Sequence, residues 1–125
     1  MTAWLPPPHA RLEAYRGGLA DSGHIAGLAA DVAWGPDPGQ TLTCSSGGAE
    51  VLRLEVTDTA LLARANDSDW SMPYDGGPVR LIVDGPLVEV SARRGVLALP
   101  LDPAGPHLDF AAGGGSVRVW GLGLS

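Results

Sequence analysis

Hydrophobic positions in this chain come as short runs rather than long stripes. Val51 to Val56 is the cleanest: Leu52, Leu54 and Val56 alternate with Val51, Arg53 and Glu55. A two-residue period turns one side of a segment to a core and the other to water, so it predicts a half-buried strand. Val79 to Leu99 holds three further runs. Val79–Val83 and Leu87–Val90 flank Asp84-Gly85-Pro86, and Val96–Leu99 follows Arg93-Arg94-Gly95. Such runs, punctuated by Asp-Gly and Gly, predict consecutive strands of an antiparallel meander. Thr41–Ser45, Leu61–Ala65, His107–Ala111 and Val117–Leu122 add four more. Ile25–Trp34 fits neither a helical stripe nor a clean alternation. Gly23 and Gly27 disfavour a helix there, and Gly35-Pro36-Asp37-Pro38-Gly39 ends the segment, so it too is expected to be a strand.

The gaps between runs are turns. Ser46-Gly47-Gly48, Thr57-Asp58-Thr59 and Gly113-Gly114-Gly115 carry the expected residues. Asn66 to Pro78 is the longest polar gap and predicts a loop of about a dozen residues carrying Trp70 and Tyr74. The start of the chain differs in texture. Pro6-Pro7-Pro8 must be extended, and His9 to Arg16, closed by Gly17-Gly18, predicts a short helix or turn. Residues 1–20 therefore read as a linker-like arm and 21–125 as one domain. About nine short strands joined by turns mean an all-β, two-sheet antiparallel β-sandwich of the jelly-roll or concanavalin-like kind.

Composition narrows the function. A chain of 125 residues with 45% apolar content can bury a core without disulfide or metal. The net charge is -6, and all eight basic residues are Arg. No basic stripe is available to neutralise phosphates, so neither nucleic acid nor an anionic membrane surface is an expected partner. No apolar run approaches the roughly 20 residues of a spanning helix. Met1 to Pro8 lacks the basic and apolar regions of a signal peptide, so a cytoplasmic location is expected, or a secreted one if the chain is part of a longer precursor.

Reactive groups are sparse. Cys44 is the one cysteine, so no internal disulfide forms, and in a strand it is expected to be a small core residue rather than a nucleophile for His9, His24 or His107. Most of the acids (Asp37, Asp58, Asp75, Asp84 and Asp102 among them) sit in turns, where Asp caps backbone groups. Asn66-Asp67-Ser68-Asp69 is rich in oxygen but lacks the spaced ligands of a calcium loop. No catalytic residue, metal site or cofactor is assigned. Sugars stack on exposed aromatic faces, which makes Trp70 and Tyr74 the candidate carbohydrate contacts. Trp34 and Trp120 are expected in the core.

Specific residues resemble a known family. Leu81-Ile82-Val83-Asp84-Gly85-Pro86-Leu87-Val88-Glu89-Val90-Ser91 resembles the L-R-I-F-V-D-x-S-x-V-E-V-F run of the C-terminal β-sandwich module of glycoside hydrolase family 32, the invertase, inulinase and sucrose-6-phosphate hydrolase group. Asp84 falls on the Asp, Glu89 on the Glu, and Gly95 on the turn glycine that follows. Leu61 to Arg64 is similar to the module's L-x-x-D-R-S strand, with Arg64 on the Arg. Gly115 to Leu122 is similar to its last strand, and Pro8 to Arg16 to its linker. Ser91, Gly85-Pro86 and Ala63 depart from the pattern. The family's catalytic N-D-P, R-D-P and E-C blocks have no counterpart here. The resemblance implies a non-catalytic module that supports a sucrose or fructan hydrolase, with a catalytic propeller domain or a second copy as partner. Arg64, Asp84 and Glu89 are its motif or interface residues, and Arg64 and Glu89 are expected to form a polar pair. The alternative is a free-standing, lectin-like domain that takes an oligosaccharide at Trp70 and Tyr74.

Overall fold

In the computed structural model, residues 16–19, 23–25 and 27–122 are described. They form twelve strands and no helix: β1 (Arg16–Leu19), β2 (His24–Ile25), β3 (Ala29–Gly35), β4 (Thr41–Ser46), β5 (Ala49–Val56), β6 (Ala60–Ala65), β7 (Ser68–Pro73), β8 (Val79–Asp84), β9 (Leu87–Ala92), β10 (Gly95–Pro100), β11 (Leu108–Gly113) and β12 (Ser116–Leu122). Sheet A runs β1-β12-β3-β8-β9-β10 and sheet B runs β2-β11-β4-β5-β6-β7. Every neighbouring pair is antiparallel. This is the expected two-sheet sandwich.

Alternation sets the register. In β5, Leu52, Leu54 and Val56 are buried while Arg53 is exposed. Their partners across the ladder are Cys44 and Leu42 on β4 and Ala63 and Leu61 on β6, all buried. Sheet A does the same with Val32 and Trp34 on β3 and Leu81 and Val83 on β8. Two inner faces of this kind make one core, and each fully buried Leu or Val contributes roughly 1.5–3 kcal/mol. Trp34 donates its indole N–H to the Gly114 carbonyl at 3.3 Å, so its one polar atom is satisfied inside.

Tight turns close the hairpins. Asn66 and Asp67 both have positive φ, 53° and 60°, as the two central residues of a type I′ turn require. Gly85 at φ 62° followed by Pro86 joins β8 to β9, where Pro holds φ near −65°.

The structure corrects several expectations. Three strands lie outside the nine expected. Ile25–Trp34 is split: β2 belongs to sheet B and β3 to sheet A, with Gly27 and Leu28 between them. Arg16–Leu19, taken as part of the arm, is the edge strand beside β12. The remainder of that arm, with its expected helix and linker motif, lies outside the described residues. The long loop from Asn66 does not exist as such, because Ser68–Pro73 is β7, the edge of sheet B. Ser, Asp and Pro are poor strand residues, but an edge with one free side tolerates them. Trp120 is not a core residue. Val119 faces inward opposite Val32, so Trp120 next to it faces outward opposite Asp31.

Candidate functional site

The two outer faces of the sandwich differ in chemistry. On sheet A, the row Trp120–Asp31–Ile82–Glu89–Ala98 crosses five strands, each residue the Cα partner of the next. The adjoining row runs Ala33–Arg80–Ser91–Val96. Leu87 and Val96 are 50% and 46% exposed on this face. Near its centre is a closed ion pair. Arg80 donates from Nε to Asp31 Oδ1 at 3.0 Å and from Nη2 to Oδ2 at 2.8 Å. The Asp31 side chain is 0% exposed and Arg80 18%. A planar guanidinium held to a carboxylate by two bonds is the strongest form of such a pair.

On sheet B, the outer row over β5 to β7 is Arg53–Arg64–Asp69, beside Glu55–Leu62–Ser71. These residues line a groove of about 450 Å³ that also touches Ala63 and Trp70. A second hollow of about 300 Å³ lies on the other side of Arg64, bounded by Glu50, Asn66, Asp67 and Asp102.

The candidate residues of the sequence fall on both faces. Trp70 pairs with Ala63, is half-buried and packs on the core. Tyr74 is buried, with 3% exposure, and its hydroxyl donates to the Gly77 carbonyl at 2.6 Å. A ring so placed offers no face to a sugar, which corrects its assignment as a stacking residue. Burial pushes its phenol up, against the Arg93 guanidinium and with help from the Asp37 and Asp75 carboxylates. Arg64 and Glu89 do not pair. Arg64 is on the outer face of sheet B, 4.0 Å from Asp69, and Glu89 is on the outer face of sheet A. Both residues point outward by alternation, and outward in one sheet is the far side of the molecule from outward in the other. Asp84 ends β8 at the turn before Leu87.

Asn66 and Asp67 are turn residues, and the Asn66 amide donates to the Pro100 carbonyl at 3.4 Å. Among the described residues no group of three or more His, Cys, Asp or Glu side chains is placed to hold a metal ion. Cys44 is buried as expected, and burial, with the Asp109 charge second, pushes its thiol up to about 12. A thiol held protonated is a poor nucleophile. His24, on β2, meets Asp109 at 2.6 Å and lies beside His107, their rings 5.3 Å apart.

No family model and no curated protein matches the chain. Solved structures do. A Bombyx mori GH32 beta-fructofuranosidase, BmSUC1, matches with a TM-score of 0.70 at 11% identity. The fold is that of part of a GH32 enzyme. The match covers 90% of this chain and 28% of the enzyme's, so nearly the whole sandwich superposes on just over a quarter of that protein. At this identity the likeness is one of fold, and it agrees at that level with the resemblance read from Asp84, Val88-Glu89-Val90 and Gly95. Sequence reasoning missed Asp31 and Arg80, which are 49 positions apart and joined only by the sheet. It also missed the groove, although the polar half of the Val51–Val56 alternation marked Arg53 and Glu55 as outward.

Proposed function

We propose that the chain is a non-catalytic β-sandwich module that works beside the catalytic domain of a sucrose- or fructan-cleaving glycosidase. The observation that carries this reading is the superposition of 90% of the chain on 28% of a GH32 enzyme. The module's part is to dock on the catalytic domain and stabilise it or border its cleft. Sheet A supplies the docking face. Its outer rows set exposed Leu87 and Val96 and the Ile82 side chain among the Glu89 carboxylate and the Asp31–Arg80 ion pair, a face of mixed apolar and charged groups. Exposed apolar side chains beside charged groups that are already paired leave a surface that a partner domain can cover at little cost.

The test mixes the purified chain with a separately expressed propeller domain of this class. Sedimentation should show a complex, and Leu87→Asp with Val96→Asp should abolish it while leaving the melting temperature close to wild type, since both side chains are exposed. Hydrolysis of sucrose or inulin by the chain alone, or a complex that survives both substitutions, would overturn the reading.

A further inference from the structure

Arg53 on β5 and Arg64 on β6 are Cα partners, and both are about half exposed or more. Like charges directly opposite on neighbouring strands destabilise a sheet. The nearest carboxylates do not close on them. Glu50 Oε1 is 3.6 Å from Arg53 Nη1, and Asp69 Oδ1 is 4.0 Å from Arg64 Nε, both beyond hydrogen-bond reach. Two guanidiniums with N–H groups to spare therefore border the same groove, beside Glu55, Leu62, Asp69 and Ser71.

We propose that this groove binds an acidic saccharide, whose carboxylate bridges Arg53 and Arg64. A carboxylate presents two oxygens in the plane that a guanidinium fork recognises, and bridging relieves the repulsion between the two arginines. The surrounding acids select the rest of the ligand. Glu55 and Asp69 accept hydrogen bonds from ring hydroxyls, donors that a bare inorganic anion does not offer. Leu62 in the same row gives an apolar contact for the C–H face of a sugar. A groove of about 450 Å³ is in the size range of small-molecule sites. An acidic peptide also satisfies the arginines, and its binding is one of the outcomes the test separates. The saccharide assignment rests on the reading of the chain as a glycosidase-associated module, and the binding assay is independent of the docking assay on Leu87 and Val96.

The test titrates the full chain, by calorimetry and by amide NMR, with a trimer of galacturonate, the matching neutral galactose trimer, a short polyglutamate peptide and inorganic sulfate. The acidic trimer should bind at least about tenfold tighter than any of the others, as expected for a charge-assisted hydrogen bond. Arg53→Gln and Arg64→Gln should each weaken it by about tenfold, while Arg118→Gln on the opposite sheet changes nothing. Unfolding curves confirm that each variant is folded. Equal binding of the neutral trimer, tighter binding of peptide or sulfate, or no binding of the acidic trimer would overturn the proposal.

Discussion

Asp31 sits on the outward side of β3, yet its side chain meets no solvent. Burying a carboxylate costs several kcal/mol unless its partner is held in good geometry, and Arg80 supplies that geometry with bonds of 2.8 and 3.0 Å. Removing one member is then worse than removing both. Arg80→Ala should lower the free energy of unfolding by about 3–5 kcal/mol, because the carboxylate stays buried without its guanidinium. The double variant Asp31→Leu, Arg80→Met should recover most of that loss. Urea denaturation of the two singles and the double measures it, and a single variant costing no more than the double would show that the pair is not the reason Asp31 is tolerated. Cys44 makes a second statement at this scale. Its thiol ordinarily titrates near 9.0 and is pushed up to about 12 in the fold, so the folded chain holds the proton more tightly than the unfolded one. Stability from this site is complete below pH 9 and falls as pH rises toward 12. Tyr74, also pushed up, adds to the same slope. Cys44→Ala should flatten the decline measured between pH 8 and 11, and should leave no group for thiol reagents after denaturation. In the native wild type those reagents should react slowly.

Strands were legible where alternation was clean and obscure where edge chemistry took over. The runs in β5, β8 and β9 announced themselves through Leu52-Leu54-Val56, Leu81-Val83 and Val88-Val90. β7 did not, because Ser68, Asp69, Ser71 and Pro73 are loop residues by composition. Its place at the edge of sheet B is what permits them. The missed signal was Asn66-Asp67, a two-residue pair suited to a type I′ turn between β6 and β7. Asp67 holds φ 60°, which an ordinary side chain adopts at a cost. Asp67→Gly should therefore raise stability by about 0.5 kcal/mol and Asp67→Val should lower it by about 1–2 kcal/mol. Equilibrium unfolding of both variants checks the sign. A loss on Asp67→Gly would mean that the carboxylate, not the backbone, holds this turn.

At the scale of the whole molecule, the sandwich followed from counting strands and turns, but the assignment of strands to sheets did not. Arg64 and Glu89 both read as outward-facing residues of neighbouring motifs, and they lie on opposite faces. Asp31 and Arg80 showed no local sign of one another, and they meet because β3 lies beside β8. Periodicity tells which side of a strand is wet. It does not tell which other wet residues share that side, since this depends on strand order, and strand order is set by long-range pairing.

The pairing of β1 with β12 has one more consequence. Arg16 and Leu122 are Cα partners, so the described fold starts and finishes at the same corner of sheet A. A domain that followed closely on Leu122 would be tethered at that corner. From there β10 lies five strands away, about 24 Å at the usual spacing of about 4.8 Å. A neighbour fastened in this way would be hinged along one margin. The opposite margin, where β7 and β10 approach each other, would swing clear or clamp down according to how firmly the face of sheet A is held.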